Sequence, residues 1–526
     1  MTVPAQPAPA APGSATWKPG AADIGLMALS AASVLTFVLL GIGRPIWQDD
    51  ANAVLMARFE IHGLFEALRS DNNLPAYYVL LSFWMHVFGD SEPALRSLSV
   101  IFYLAGAGMV FLAGWAVDRS RRMGLYAALL YLASVQLVHQ AHAVRMYTML
   151  GFLSAASLFL VIRVFVQGSR SQWLTFLFTT VNAIGLLTHI WFVFPLFGEF
   201  LGLLFWARAG LKRFIVCAAL SGAVFWAAWG PAFLDQLHNG STRWIPPFHP
   251  VFLLDIFFQF YGREGMGLLV LLACLAPVVW SGGRAIGAFW RESAAHMALG
   301  IFLACTLVPL AVSVAKPIYF PGRYSTVALP ALALLLGGVL THCAPRPYAL
   351  AVCTGILSAS LASHILSAAA VGDGSLPSGQ SDKATADYIV QHAAPGDCIV
   401  FTNLTRATAD YYFRRAGAAA RYCETSFPEE LDRHAGWLDR AALLRHPDAL
   451  AQEAARTAAG LAAAAQTGKR IWFYDGLPGV SDVLRSNLDA VLQPAGRYEL
   501  SGPFHRRLLV YAARAEGRTT ADARMR

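Results

Sequence analysis

Charge is what this sequence is short of. Only 14% of its 526 residues are Asp, Glu, Lys or Arg, where soluble proteins carry about a quarter. A water-facing domain of this length cannot be clothed with so little charge, so the soluble classes fall away first. Cysteine is scarce too: of seven, Cys217, Cys274, Cys305, Cys343 and Cys353 lie in apolar stretches and read as small core residues. There is no basic helix, zinc spacing or RNA-binding aromatic pattern, so the net charge of +8 does not point to nucleic acid. A soluble nucleotide-binding fingerprint is lacking, and so is a signal peptide. Residues 1–21 are rich in Ala and Pro and poor in charge, which predicts a disordered tail. The apolar stretch behind them is long enough to span and has no clear cleavage site.

What is abundant is apolar surface, at 56% of residues and a mean hydropathy of +0.49. Runs of about 17–25 apolar residues mark spanning helices. They lie near 22–42, 97–117, 123–139, 146–166, 173–188, 190–207, 214–234, 266–281, 294–314, 326–343 and 347–371. The segment 74–89 is apolar but short. Basic residues favour the cytoplasmic side. If 74–89 lies on the membrane surface and the N-terminus is inside, each short inside loop is basic: Arg119, Arg121 and Arg122; Arg163 and Arg170; Arg208, Lys212 and Arg213; Arg284 and Arg291; and Arg346. The expectation is an α-helical polytopic membrane protein of about eleven spans over 22–371, with 43–96 as a large first outside loop.

An odd number of spans puts residues 372–526 outside, and this polar region reads as a small α/β domain. Ala384–His392 is a predicted helix. Asp397–Thr402, Lys469–Tyr474 and Arg507–Ala512 are predicted strands, being short apolar runs between turn residues. The Ala-rich stretch 441–466 is helical by propensity. Cys398 and Cys423 lie in this domain, and a disulfide between them and two unlinked thiols both stay open. No internal repeat stands out.

Five polar motifs interrupt the apolar pattern. The first, Trp47-Gln48-Asp49-Asp50-Ala51-Asn52, sets two carboxylates at the membrane surface, where they repel and resist desolvation; on spacing alone a plain helix cap is the stronger account. The second, Asp71-Asn72-Asn73-Leu74-Pro75-Ala76-Tyr77-Tyr78, opens the short apolar helix in an ordinary way. The third runs from Gly89 to Leu98, where Arg96 can pair with Glu92 at helical spacing. The fourth is Arg145-Met146-Tyr147, preceded by His139 and His142 at a spacing that suits a metal pair but more often marks interfacial residues. The fifth, Lys316 to Tyr324, carries Lys316 and Arg323, for which snorkelling anchors are the bland account. Under the topology above all five reach the outer surface. The carboxylates, Arg145, His189, Lys316 and Arg323 would then surround one entrance: cations for a lipid phosphate, and a carboxylate base for an acceptor hydroxyl.

In order and spacing these motifs resemble the bacterial branch of the membrane glycosyltransferases of C-type architecture, related to protein O-mannosyltransferases and to the lipid A aminoarabinose transferases. The resemblance covers about residues 22–345. It rests on the acidic pair Asp49-Asp50, on Asn73-Leu74-Pro75-Ala76-Tyr77-Tyr78 where His-Pro-Pro-Leu-Tyr-Tyr is usual, and on Phe88-Gly89-Asp90-Ser91-Glu92-Pro93-Ala94-Leu95-Arg96. Arg145-Met146-Tyr147 and Pro321-Gly322-Arg323-Tyr324 complete it. It implies a C-type fold with the short apolar segment in the membrane surface, catalysis by Asp49 helped by Asp50, and substrate contacts from Asp71, Asn73, Tyr77, Arg96, Arg145, Tyr147, Arg323 and Tyr324, to which the shared outer-surface placement adds His189 and Lys316. The loss of the His-Pro core leaves open the contacts that relatives make there to the lipid phosphate or to a divalent metal ion.

The reading that follows is a bacterial inner-membrane enzyme. It would move a sugar from a polyprenyl-phosphate carrier to an envelope acceptor (lipid, glycan or protein) by one inverting displacement, with the C-terminal domain admitting the acceptor or covering the site. A glycolipid transporter or flippase is the alternative from another class. It predicts two related halves and charges at mid-membrane, where this chain is nearly free of acid. An O-antigen-ligase-like transferase is a third, and predicts its key residues on a large late loop.

Overall fold

In the computed structural model, residues 20–238, 245–254, 259–261, 266–281, 284–320, 322–370, 378–402, 405–430, 440–476, 479–499 and 507–514 are described. Residues 1–19 of the predicted disordered tail, Pro321 of the fifth motif, residue 371 and the start of the polar domain at 372–377 lie outside them, whereas Gly20 and Ala21 of that tail are the N-cap and first residue of the helix Ala21–Gly41.

The eleven apolar runs are all helical. They form α1 (Ala21–Gly41), α5 (Glu92–Asp118), α6 (Arg121–Leu132) with α7 (Val135–Ala141), α8 (Tyr147–Val161), α9 (Gln172–Thr188) and α10 (Val193–Trp206). After them come α11 (Leu211–His238), α12 (Met266–Trp280), α14 (Ser293–Ala315), α15 (Leu329–Cys343) and α16 (Arg346–Ala370), with the short α13 (Arg284–Phe289) before α14. Among the described residues, six helices are long and apolar enough to cross a membrane, and the helices Ile190–Trp206 and Met266–Trp280 are shorter but equally apolar.

The run 123–139 is two helices rather than one. Ser134 caps α7 through its hydroxyl, which also donates to the Phe260 carbonyl at 2.7 Å, so the chain turns where an apolar count sees continuity. Between α1 and α5 lie α2 (Gln48–Ala57), α3 (Ile61–Asp71) and α4 (Pro75–Phe88). At about 1.5 Å per residue α4 spans about 21 Å, short of a hydrocarbon core of about 30 Å. One face buries Tyr77, Tyr78 and Leu81, while Val79, Phe83 and Val87 stay exposed at helical spacing.

Helix pairs approach closely where both surfaces are small. Gly114 of α5 faces Gly124 of α6, and Gly198 of α10 lies on the backbone of Gly300 and Ile301 in α14. Polar side chains also tie spans together: Ser157 of α8 contacts Asn182 of α9 at 3.0 Å and Glu199 of α10 at 2.6 Å.

The C-terminal domain carries a mixed five-stranded sheet. Its strands are β1 (Cys398–Thr402), β2 (Cys423–Phe427), β3 (Ile471–Asp475), β4 (Gln493–Glu499) and β5 (Arg507–Ala512), in the order β2-β1-β3-β5-β4. β1 runs parallel to β2 and β3, and β5 antiparallel to β3 and β4. Cys398 and Cys423 are register partners on β1 and β2, as free thiols. Helices α17 (Ser378–His392), α18 (Thr405–Arg415), α19 (Arg440–Arg445), α20 (Pro447–Gln466) and α21 (Val480–Val491) complete the domain. α20 lays Leu450, Ala454, Ala458, Leu461 and Ala465 over Val400, Ile471 and Phe473. The opposite sheet residues Ile399, Phe401, Trp472 and Tyr474 join a core continuous with the membrane helices. Covering both faces is why β1 and β3 read as unbroken apolar runs.

α18 seats the domain on the first loop. It packs along α2, the Tyr411 hydroxyl donates to the Asp90 carbonyl at 2.9 Å, and Arg415 pairs with Asp90 and Glu92.

A β-carbon at Gly198 would collide with α14 backbone, whereas one at Gly108 meets nothing. Gly198→Val is expected to lower the thermal unfolding midpoint in detergent by the equivalent of about 1–3 kcal/mol, and Gly108→Val to leave it near wild type. Equal midpoints would mean that α10 and α14 are not held in this contact.

Candidate active site

The site begins with how α2 starts. Trp47 is its N-cap residue and makes no side-chain cap bond, so Asp49 and Asp50 fall in the first turn. Neither acts as the plain cap that their spacing allowed. They point different ways. Asp50 is 5% exposed and its Oδ1 accepts the Val144 N–H at 2.9 Å. Asp49 faces a cavity of about 930 Å³, and its Oδ2 accepts from Arg323 Nη1 at 3.2 Å. Burial pushes the Asp50 carboxyl up to about 6, against the pull of the Arg96 charge and the Val144 N–H.

Arg96 does not reach the cavity and does not pair with Glu92, whose partner is Arg415. Buried at 3% exposure, it donates to the carbonyls of Ile42 at 3.1 Å, Pro45 at 2.9 Å, His142 at 2.7 Å, and to that of Arg44. It thereby fixes the segment entering α2. Tyr77 is also buried away from the cavity, edge-on to Tyr78 at 5.6 Å.

The other named residues meet at the cavity: Asp49, Asp71, Asn73, Arg145, Tyr147, His189, Lys316, Arg323 and Tyr324 all line it. Arg145 lies just before α8, with Nη1 3.4 Å from the Asp49 carbonyl and a buried Nε that has no hydrogen-bond partner. Lys316 ends α14. Arg323 follows Gly322, whose φ of 79° requires glycine. That turn is stitched by Gln259, which accepts the Gly322 N–H at 3.0 Å, and by Gln140, which donates to the Gly322 carbonyl at 3.1 Å. Asp71 ends α3, and its Oδ2 accepts from Asn52 at 3.4 Å and from Asn73.

His189 is not the cation its place among basic residues suggested. Burial, reinforced by the Arg145 charge, drives it down to about 3. Its Nδ1 accepts the Trp191 N–H at 3.1 Å, which leaves Nε2 as a neutral donor. Its ring lies 4.9 Å from Tyr324, which in turn is 5.2 Å from Trp191 and 6.2 Å from Tyr147. Trp191, Phe194, Phe233 and Leu237 extend this wall as an apolar slot.

No protein-family model and no curated protein matches the chain. Solved structures do. ArnT from Cupriavidus metallidurans bound to undecaprenyl phosphate superposes with a TM-score of 0.59 at 15% identity, over 93% of this chain and 98% of that one. The apo form of the same protein gives 0.59 at 14%, with the same coverage. The fold is that of the C-type membrane glycosyltransferases. An archaeal oligosaccharyltransferase from Archaeoglobus fulgidus aligns at 11% identity over 94% of this chain and 75% of that one, with a TM-score of 0.45.

Within this C-type fold, no group of three His, Cys, Asp or Glu side chains gathers as a metal site among the described residues. Of the His139 and His142 pair, His139 is exposed, and the His142 ring lies 3.8 Å from that of Phe37, with Nε2 at the Phe37 carbonyl. Sequence reasoning missed Asn52, Asn72, Trp191 and Gln236 on the cavity wall. Gln236 carried a signal, as an amide in an apolar helix. It donates to the carbonyls of Leu68 at 3.0 Å and Asn73 at 3.2 Å, holding the Asp71–Asn73 turn.

Because the folded state holds the Asp50 proton more tightly than the unfolded chain, its contribution to stability is full in acid. It is lost as pH rises from the usual carboxylate range through about 6. Asp50→Asn keeps the acceptor for Val144 and cannot ionise. Melting midpoints should agree near pH 3, where the carboxyl is protonated in both the folded and the unfolded chain, and near pH 8 the variant should be the more stable by roughly 1–3 kcal/mol. A gap that does not change with pH would mean that burial does not penalise the charge.

Proposed function

We propose that this protein transfers a monosaccharide from a polyprenyl-phosphate carrier to an envelope lipid, glycan or protein acceptor, with inversion, at the outer face of the bacterial inner membrane. The observation that carries the reading is the meeting of Asp49 with Arg323 in one cavity, with Arg145, Lys316 and the neutral His189 beside them and an apolar slot alongside. The C-type fold, shared with a transferase crystallised with undecaprenyl phosphate, supports it.

The cations suit a phosphate, and the slot of Trp191, Phe194, Phe233 and Leu237 suits the start of a prenyl chain. Asp49 takes the acceptor proton as the acceptor oxygen bonds to the anomeric carbon. The bond from that carbon to the phosphate oxygen breaks, and polyprenyl phosphate leaves with its charge held by Arg145, Lys316 and Arg323 and by the His189 N–H. With these partners no general acid is required. Donor phosphate competes with Asp49 for Arg323, so its binding would release the carboxylate for the acceptor. That Asp71, Asn73, Tyr147 and Tyr324 line the same cavity supports contacts from them to the sugar.

In lipid nanodiscs with a synthetic polyprenyl-phosphate sugar and matched acceptor, Asp49→Asn should fold and bind donor but turn over about 10²–10⁴-fold more slowly. Asp50→Asn should cost less. Arg323→Ala should weaken donor use about tenfold or more, and Arg208→Ala, on an exposed connection elsewhere, should not. Transfer at wild-type rate by Asp49→Asn would remove Asp49 as the base.

The N-terminus is assigned to the cytoplasm and residues 372–526 to the outside, because every short inside loop is then basic. A reporter active only in the cytoplasm, fused after Arg526, should be silent. A bright signal would reverse the topology and place the cavity on the wrong face for this reaction.

A further inference from the structure

The position of Asp49 depends on six residues that have no regular structure. The segment from Ile42 to Trp47 connects α1 to α2, and each of its backbone polar groups needs a partner once buried. Arg96 takes the carbonyls of Ile42, Arg44 and Pro45. A further anchor comes from the C-terminal domain. The N–H of Ile46, a fully buried residue, is donated to the Tyr412 hydroxyl at 2.9 Å. Tyr412 stands on α18 of the C-terminal domain, 366 residues away in sequence, and is itself 4% exposed. Three residues after Ile46 comes Asp49.

We propose that Tyr412 is a positioning residue for Asp49: through the Ile46 N–H it sets where α2 begins, so that the C-terminal domain completes the catalytic centre rather than only covering it. This rests on the transferase reading given above. The adjacent Tyr411 supplies a built-in comparison. It stands on the same helix and its hydroxyl also bonds the first outside loop, but at the Asp90 carbonyl, away from the entry to α2. Both hydroxyls hold the domain down; only that of Tyr412 touches the strand of chain that carries Asp49.

The test compares full-length Tyr412→Phe with Tyr411→Phe. Each loses one hydroxyl and keeps its ring, so both should remain folded, with similar melting midpoints. Tyr412→Phe should lower kcat about tenfold while leaving the KM for a polyprenyl-phosphate sugar within about twofold. Tyr411→Phe should leave kcat within about twofold. Amide hydrogen exchange over residues 46–57 should quicken in Tyr412→Phe alone. Unchanged kcat and unchanged exchange in Tyr412→Phe, or equal losses in both variants, would overturn the proposal in favour of simple domain docking. If the wild-type protein transfers no sugar, the functional reading fails, and hydrogen exchange still decides whether Tyr412 holds the start of α2.

Discussion

Backbone groups away from water must find partners, and in a membrane protein this is the constraint on which the rest of the structure depends. Helices meet it by themselves. Wherever the chain leaves a helix near the cavity, side chains meet it instead. Arg96 serves four carbonyls, Gln140 and Gln259 serve Gly322, and the Ser313 hydroxyl accepts the N–H groups of Ile318 and Tyr319. Each stitch holds a short irregular segment, and each such segment presents a cavity residue. The cations and carboxylates stand where they do because the backbone beneath them has been tied down.

The same logic divides what could be read from the sequence from what could not. Apolar runs announce helices of the bundle, since burial against lipid or neighbours leaves no polar periodicity to confuse them. The strands β1 and β3 were visible for a related reason, being covered on both faces. β2, with its sequence Cys-Glu-Thr-Ser-Phe, and β4, with Gln-Pro-Ala-Gly-Arg-Tyr-Glu, are edge strands of the sheet; their polar composition does not separate them from loops.

For the site, motif residues at helix mouths were legible because charge is rare in this chain. What was not legible is which partner each would choose. Arg96 lies in a motif of polar residues, yet it spends its donors on backbone carbonyls. His189 sits among cations, and that company together with burial keeps it neutral. Asp49 and Asp50 are adjacent and chemically alike; the helical turn between them sends one to the cavity and the other to the Val144 N–H. Such differences depend on directions in space, which residue type and spacing do not encode.

The two contacts that define Asp49 reach far along the chain: Arg323 lies 274 residues after it, and Tyr412 lies 366 after Ile46. A ribosome delivers these residues in sequence, so the carboxylate is made long before either partner. Until then it is a group in the first loop without these two contacts. Under the proposed function, the reactive geometry that begins after α1 therefore waits for α18, whose Tyr412 hydroxyl takes the Ile46 N–H.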